Sequence, residues 1–467
     1  MFRFSRLTLI SSLALGCVCT ASGTPRTMRL DYFHSGSQST ELFSVDRVVL
    51  EPLPWPGNPV KSVDTTNRGT YFFEIRELST DRVLYSRGYS SIYAEWVTTD
   101  EAKTANRTFH ESLRFPAPDT AVRIVVEKRD VQNRFREVWS ISIDPKDKSI
   151  DTSSPSPVPH VIELQKTGDP SARVDLLFLG EGYTVVEQEK CERDIRRLVD
   201  GMFSYAPFKE QRSRFNLWAI CSASPDSGVS HPLSGIHRNT LYGSQFDVFG
   251  EDRYALSFDN RAIRRMASFA PYDFLAIVMN EREYGNGGIF GMYASVSIDY
   301  PAAIQVFVHE FGHHFAGLGD EYYFSSNVAY APANLSIEPW EPNVTALREP
   351  SKVKWQALVS PATPIPTPWP KQQYEDGVRE SQKKIQKLRE DGRVQSEIQE
   401  ARRLAREAQE QALTSGDYAD KVGAFAGAMY EDGYYRPQQR CIMISGPSFC
   451  AVCRHAIEEI IELYSQH

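Results

Sequence analysis

The sequence predicts an α+β protein with more than one domain. Its 467 residues are more than one ordinary hydrophobic core requires. Residues 27–145 contain short runs rich in β-branched and aromatic residues, whereas strand and helix patterns alternate after residue 156. We therefore expect an N-terminal antiparallel β-sandwich, followed by an α/β domain that carries an inserted helical hairpin.

The first 23 residues (1–23) have the pattern of a secretory signal peptide. Arg3 and Arg6 precede an apolar run from Leu7 to Val18, and small residues follow. No later segment approaches the ~20 apolar residues that a transmembrane helix needs. We expect an exported protein that is secreted, periplasmic or surface-associated, and lipidation of Cys17 is the alternative.

The predicted sandwich spans residues 24–155. The runs TYFFEIRE, AVRIVVEKR and RFREVWSISI fit short strands, and turn-forming clusters such as WPGNP separate them. The polar segment DPKDKSIDTSSPSPVPH is rich in proline and serine, which places a domain boundary near residue 155. Because we recognise no carbohydrate-binding or adhesion motif here, we expect a structural or substrate-positioning module.

The second predicted domain covers residues 156–467. VDLLFLG, FNLWAIC and YDFLAIVMN fit buried strands, and residues 302–316 have helical spacing after a proline. Residues 371–417 are instead almost entirely charged, Gln and Ala residues, with two helical patterns separated by EDGR. We expect a helical hairpin that is a solvated spacer, with a partner-binding surface as the alternative. Its predicted apolar seam is Val394, Ile398, Ala401, Ala405, Ala408 and Ala412.

The charge balance argues against a nucleic-acid partner. Asp and Glu outnumber Lys and Arg by 60 to 52, and the formal net charge is −8 at pH 7. Proteins that bind nucleic acid are expected to carry a basic patch, so we predict no such partner. The sequence leaves the oligomeric state open.

The segment HEFGH, residues 309–313, places two histidines and a glutamate on a predicted helix. His309 and His313 are four residues apart, so their imidazoles lie on one face, one turn apart. Two ring nitrogens in this arrangement can bind one zinc ion, and Glu310 beside them can take a proton from its water, as in the HExxH motif. His314 lies about 100° away on the helix, so we expect it to pack or to contact substrate.

A third ligand is expected just after this helix. Gly317 and Gly319 favour a sharp turn that brings the following residues back toward the metal. Asp320 and Glu321 both offer carboxylate oxygens, and Asp320 follows the turn directly; geometry alone leaves Glu321 open. The set predicts peptide hydrolysis by water, in which Glu310 takes the proton and passes it to the leaving amine.

Five of the seven cysteines lie outside the predicted leader. An exported protein permits disulfides, and Cys441 with Cys450 or Cys453 would close a short loop, although spacing does not fix the pairing. Cys450-x-x-Cys453 has the form of half a zinc knuckle but lacks a second pair at suitable spacing, so we expect a disulfide or a packing role. The five are Cys191, Cys221, Cys441, Cys450 and Cys453.

Together these motifs resemble the M64 family of metallopeptidases, the bacterial IgA-peptidase family. HEFGHHFAGLGDEY is the most specific element, and the resemblance extends over most of the mature chain, including the β-rich N-terminal region. It implies a zincin-like or metzincin-like peptidase domain. The other similar blocks are LLFLGEGYT, FNLWAICSASPDSGVS, YDFLAIVMN, EPNVT, VGAFAGAMYEDGYYRPQQRCIM and FCAVCRHAI.

The resemblance also implies roles for individual residues. Two histidines and an acidic residue of the GLGDEY block would hold one catalytic Zn²⁺, which supports His309, His313 and Asp320, with Glu310 as the base. A metzincin-like relation would place a methionine turn beneath the metal. Met443 is the candidate for that turn, and an ordinary core methionine is the alternative.

Two further features bear on the substrate. Tyr434 or Tyr435 is a candidate for stabilising the oxyanion, with packing as the alternative. The insertion 371–417 is not part of the family's pattern, so immunoglobulin cleavage is not inherited with the resemblance. We expect a secreted zinc metallopeptidase that acts on a protein or peptide. The alternative is a surface or secreted protein-binding module with a vestigial peptidase domain.

Overall fold

The computed structural model describes residues 24–322 and 334–466. These residues have a mixed α+β fold, which confirms the predicted class. The predicted signal peptide lies outside the described residues. Within the described ranges, no helix has both the length and the apolar character needed to cross a bilayer.

Seven strands in the N-terminal region form two antiparallel sheets. They are β1 (Arg26–Gly36), β2 (Glu41–Pro54), β3 (Tyr71–Glu77), β4 (Val83–Tyr89), β5 (Arg107–Pro116), β6 (Val122–Arg129) and β7 (Phe135–Ile143). The three-stranded sheet has the order β2-β1-β5, and the four-stranded sheet has the order β4-β3-β6-β7. Alternate side chains of both sheets, including Leu30, Phe73 and Ile124, point into one shared core.

A six-stranded mixed sheet forms the centre of the second region. Its strands are β8 (Val161–Gln165), β9 (Val174–Glu181), β10 (Phe215–Ile220), β13 (Phe274–Met279), β14 (Asn286–Ile289) and β15 (Tyr293–Ser297). The order is β14-β15-β13-β9-β10-β8, with the two outer strands antiparallel to their neighbours. Strands β9, β10 and β13 are buried along their full length, which agrees with their continuous apolar sequences. Two short pairs complete the strands: β11 (Ser244–Gln245) with β12 (Leu256–Ser257), and β16 (Phe425–Ala428) with β17 (Glu431–Arg436).

Helices cover both faces of the six-stranded sheet. They include α1 (Ile92–Trp96), α2 (Gln188–Met202), α3 (Asn260–Ala267), α4 (Ala303–Ala316), α5 (Lys371–Glu390), α6 (Gln395–Leu413) and α7 (Ala451–Tyr464). Phe178 of β9 shares a core with α2, α4 and α7, whereas its neighbours Leu177 and Leu179 share a second core with α1 and α3. Successive residues of β9 thus serve opposite layers.

The N-terminal region packs directly on this sheet. Helix α1 belongs to that region in sequence, yet its buried residues lie in the same core as Leu177. The buried guanidinium of Arg68 donates to the carbonyl oxygens of Ala316 (3.1 Å) and Ala456 (2.9 Å). The end of α4 is therefore held by a side chain from the N-terminal region.

Helices α5 and α6 occupy the predicted insertion and are separated at residues 391–394. Tyr374 and Leu413 reach the main core of the second region. Val394 and Ala408 were assigned to the apolar seam but are exposed. Val394 precedes α6 in an extended conformation, so it lies off the helical stripe. The buried seam residues are Ile398, Ala401, Ala405 and Ala412.

One disulfide joins Cys191 of α2 to Cys221, just after β10, with an S–S distance of 1.98 Å. The parallel pairing of β9 with β10, which α2 connects, brings these two cysteines together. The short loop between Cys441 and Cys450 or Cys453, one of the pairings that the spacing left open, is not closed by a disulfide, because all three cysteines are free and buried. Sequence separation favoured the short loop, but chain topology decides the pairing.

Candidate metal centre

Helix α4 presents the two predicted histidine ligands. It ends at Gly317, which has the left-handed φ of +61° that glycine adopts without steric cost. The Nε2 atoms of His309 and His313 lie 3.1 Å apart. Only 12% and 15% of the two side chains are exposed. The one-turn spacing therefore brings both rings to a single point.

The other ring nitrogens are fixed by backbone carbonyls. Nδ1 of His309 is 3.0 Å from the oxygen of Ile442, and Nδ1 of His313 is 2.6 Å from the oxygen of Leu318. A carbonyl oxygen can only accept, so Nδ1 carries the proton in both rings. Each Nε2 then presents its lone pair to the shared point, which is the tautomer that a metal ligand requires.

Asp320 completes the group. Its Oδ1 atom lies 3.2 Å from Nε2 of His309 and 3.3 Å from Nε2 of His313. These two nitrogens and this oxygen, which we call the histidine triangle, are thus separated by 3.1–3.3 Å. An ion with zinc-like bonds of ~2.0–2.1 Å to N and O has tetrahedral edges of about 3.3–3.4 Å. The triangle therefore fits one such ion, with a fourth vertex left over.

The charges in the triangle also suit a cation. Burial favours the neutral imidazole of His313, but the Asp320 carboxylate and Glu310 raise the pKa of His313 to about 9. Burial likewise opposes the charge of Asp320, and the two histidines hold the pKa of this carboxyl well below its usual range. Without a metal, a proton on His313 balances the Asp320 carboxylate. A bound cation would replace that proton.

Glu321, the other acidic residue considered from the sequence, points away from the triangle. It is fully buried and accepts a hydrogen bond from Nδ2 of Asn343 at 3.0 Å. Its backbone N–H donates to the carbonyl of Met443 (2.8 Å), whereas the carbonyl of Asp320 accepts from the N–H of Met429 (2.9 Å). Backbone hydrogen bonds on both sides of residues 320–321 thus send adjacent carboxylates to different sites.

Glu310 is buried beside the histidines on α4. The charge of its carboxylate acts on Glu95, a residue of α1 in the N-terminal region. Burial raises the pKa of Glu95 to about 7; repulsion from Glu310 adds to the increase, and His313 opposes it. The Tyr254 hydroxyl donates to the Glu95 carboxylate. Glu95 could not be predicted from the sequence, because no motif links that region to HEFGH.

Two tyrosine hydroxyls reach the triangle, and neither was predicted. The hydroxyl of Tyr322 lies 3.1 Å from Nε2 of His309, and the two rings stack. The hydroxyl of Tyr430 donates to Oδ2 of Asp320 at 3.1 Å. Met429 and Tyr430 both have positive φ, at 47° and 62°, in the turn between β16 and β17. Such backbone angles are costly for residues other than glycine and recur at functional sites.

The tyrosines singled out from the sequence follow that turn. Tyr434 is buried in a small apolar cluster with Val344 and Ala428. The backbone of Tyr435 exchanges hydrogen bonds with Thr345, at 3.1 and 2.9 Å. The YY pair therefore lies along β17, and the turn before it brings Tyr430 to Asp320 of the histidine triangle. The segment AMYEDG, residues 428–433, could have indicated this turn, because Met429 and Tyr430 stand just before the turn-favouring residues Asp432 and Gly433.

Met443 and His314 flank the same helix. Met443 is fully buried, and its sulfur lies 3.1 Å from the position of a Cβ added to Gly312, next to His313. His314 is also buried, and its Nδ1 lies 3.0 Å from the carbonyl oxygen of Ile289. Burial lowers the pKa of His314 to about 3, so it stays neutral. His314 is therefore packed in the protein interior. Met443 lies against α4, the helix that carries His309 and His313.

Comparison with known families covers both regions of the chain. A family model described as IgA Peptidase M64 matches residues 162–461, and one described as Peptidase M64 N-terminus matches residues 21–140. The search of curated proteins found no match. The first match includes the histidine triangle and helix α4, and the second includes Arg68, whose side chain holds the end of α4.

Proposed function

Because the chain belongs to the IgA Peptidase M64 family and is therefore a peptidase of a metallopeptidase family, we propose that it hydrolyses peptide bonds of a protein substrate with one catalytic Zn²⁺. The observation that carries the proposal is the histidine triangle, whose edges of 3.1–3.3 Å suit a tetrahedral ion. His309 and His313 would hold the ion through Nε2, and Asp320 through Oδ1.

The chemistry divides between the ion and this chain's side chains. When bound, zinc supplies Lewis acidity, which acidifies water and polarises the scissile carbonyl. Glu310, adjacent to His309, takes the proton from the attacking water and delivers it to the leaving amine. The hydroxyl of Tyr322 or Tyr430, rather than that of Tyr434 or Tyr435, donates to the oxyanion. Backbone hydrogen bonds to Nδ1 keep both imidazoles in the required tautomer.

We also propose how the chain is organised into domains. Residues 24–155 would form the sandwich, and residues 156–467 a zincin-like domain with Met443 in its methionine turn. Residues 371–417 would form a hairpin inserted in that domain. The sandwich would also position the site, because Arg68 holds the end of α4 and the charge of Glu310 acts on the buried Glu95. Residues 1–23 would direct export, and anchoring through Cys17 is the alternative.

The competing function is a binding module with a vestigial peptidase domain. Decay of a peptidase usually removes the glutamate or a histidine of HExxH, and here all three residues remain. The intact motif together with the converging ligand atoms favours the enzyme. Substrate specificity follows from groups outside this motif, so IgA is one substrate to test among several.

The test is hydrolysis of casein and IgA by purified protein whose zinc content is measured. Glu310→Gln is expected to keep its zinc and to lose about 10²- to 10⁴-fold in rate, because only the proton acceptor is removed. Glu189→Gln, on the exposed face of α2, is the matched control and should keep the wild-type rate. An unchanged rate in Glu310→Gln would refute the mechanism. Zinc binding without hydrolysis of any offered protein would support the binding module.

A further inference from the structure

A second group of potential metal ligands lies behind the histidine triangle. Glu321, Cys441, Cys450 and Cys453 each offer one ligand atom, and these atoms lie within 4.8 Å of one another. All four residues are buried. We propose that this set, the cysteine cluster, binds a second zinc ion with a structural role. The proposal rests on residues that the catalytic mechanism does not use.

The distances in the cysteine cluster are those of a tetrahedral site. Zinc bonds of ~2.3 Å to sulfur and ~2.0 Å to oxygen give S–S edges of about 3.8 Å and S–O edges of about 3.5 Å. The sulfurs of Cys441 and Cys453 are 3.7 Å apart. Oε1 of Glu321 lies 3.3 Å from the sulfur of Cys453 and 4.0 Å from that of Cys450. These three separations lie within about 0.5 Å of the tetrahedral edges, and all four ligand atoms lie within 4.8 Å of one another.

Backbone amides point at these sulfurs, as is needed when thiols ionise. The N–H of Cys450 donates to the sulfur of Cys441 (3.3 Å), and the N–H of Cys453 donates to the sulfur of Cys450 (3.4 Å). Cys450 is also the N-cap of the 14-residue helix α7, whose dipole favours negative charge at that end. Both effects stabilise thiolates, which are the form that binds metal.

The carboxylate of Glu321 provides independent evidence for a cation. Its side chain is fully buried, and among the described residues Oε2 has no hydrogen-bond partner. Burying a carboxylate is costly, and Arg436 supplies part of the compensating positive charge. An ion at the centre of the cluster would compensate the carboxylate directly. Asn343 meets only the Oε1 atom, at 3.0 Å.

The ligand types select the ion and its role. Thiolates suit zinc far better than magnesium or calcium, which prefer oxygen ligands. On binding, each thiol would lose its proton to solvent, and Zn²⁺ would be shared among three sulfurs and one carboxylate oxygen. Four protein ligands leave no position for water, which is the arrangement of structural rather than catalytic zinc.

The two sites share one supporting segment. The turn after Cys441 supplies the Ile442 carbonyl that accepts from Nδ1 of His309, and the Met443 carbonyl that accepts from the N–H of Glu321. An ion at the cysteine cluster would therefore fix the backbone that orients a catalytic ligand. Loss of the second ion is expected to loosen the first site without removing its ligands.

Elemental analysis of the full chain tests the proposal. Wild type should contain two zinc ions per chain, and His309→Ala/His313→Ala and Cys450→Ser/Cys453→Ser should each contain one. A single zinc that disappears in the histidine variant and persists in the cysteine variant would overturn the second site, yet it would support the catalytic one. The reverse pattern would support the second site and count against the proposed function.

Because the cysteine variant could fail to fold, a second measurement uses intact cysteines. Co²⁺ loaded into His309→Ala/His313→Ala should give the thiolate-to-metal charge-transfer band of a tetrahedral sulfur site. Adding Glu321→Gln should change that spectrum. Absence of the band, or a Cys441–Cys453 disulfide found by non-reducing mass spectrometry of the purified chain, would refute the proposal.

Discussion

The histidine triangle includes Asp320, and the cysteine cluster includes its neighbour Glu321. The two sites nevertheless differ in the number of ligand atoms and in exposure to solvent. The triangle offers three ligand atoms from partly exposed imidazoles and a carboxylate, which leaves a vertex for water. The cluster offers four ligand atoms and is buried throughout. Ligand number and solvent access, more than proximity in sequence, separate a site suited to catalysis from one suited to holding the fold.

The largest expected effect comes from substituting Asp320 and Glu321 one at a time. Asp320→Ala should lose the zinc of the triangle and reduce hydrolysis to background, because two imidazoles alone hold the ion weakly. Glu321→Gln should keep that zinc and part of the activity, but should unfold at a lower temperature. Zinc content, hydrolysis rate and Tm of the two variants would be measured together. Equal losses of activity in both would show that the two sites do not have separate roles.

An intermediate effect is expected from the hydroxyl that braces the triangle. Tyr430→Phe removes the hydrogen bond to Oδ2 of Asp320, and loss of such a bond to a metal ligand typically lowers activity or metal affinity by about 10- to 100-fold. Tyr434→Phe is the paired variant, and its kcat/KM should stay near wild type. A larger loss of activity in Tyr434→Phe than in Tyr430→Phe would contradict this expectation. It would assign the supporting role to Tyr434, the tyrosine that the sequence suggested.

The smallest effect is expected from His34, whose protonated ring balances the charge of two neighbouring carboxylates. His34 lies in the N-terminal core, 3.1 Å from Glu111 and 2.9 Å from Glu41. Burial disfavours its charge, but the two carboxylates raise the pKa of His34 above its usual value. A raised pKa means that the stabilisation is present below ~6.5, the pKa in the unfolded chain, and is lost as pH rises through the raised value.

Thermal unfolding across that range tests the pH dependence. The difference in Tm between wild type and His34→Gln should be largest near pH 6 and should shrink toward pH 9. A chelator should leave that difference unchanged, in contrast to its expected effect on the two proposed metal sites. A difference in Tm that grows with pH would contradict the assigned sign.

Local patterns in the sequence were sufficient to predict which residues meet in the histidine triangle. HEFGH places His309 and His313 on one face because a helix repeats its faces every 3.6 residues, and Gly317 marks the turn that returns Asp320. The role of Glu310 as the base stays a prediction. The strands of the N-terminal region and β9, β10 and β13 were likewise visible as alternating or continuous apolar runs. Whether these ligands bind zinc remains a prediction.

The other half depends on contacts between distant segments. Cys450-x-x-Cys453 predicts a disulfide or a packing role because the sequence has no second pair at suitable spacing. The structure brings Cys441 and Glu321 to these two cysteines from distant positions in the chain. Tyr430 was missed because an unusual turn, rather than a residue pattern, points it at Asp320. The disulfide at Cys191 depends on strand order in the same way. Such features follow from topology, which short motifs do not encode.

Helix α1 has a practical consequence for anyone who shortens this chain. A fragment starting near residue 156, the natural choice for producing the peptidase region by itself, would lack Trp96 and the other α1 side chains that share a core with Leu177 and Leu179. It would also lose the Arg68 hydrogen bonds at the end of α4. We expect such a fragment to aggregate or to need a redesigned surface, so expression of the two matched regions as one polypeptide is the sound starting point for assays.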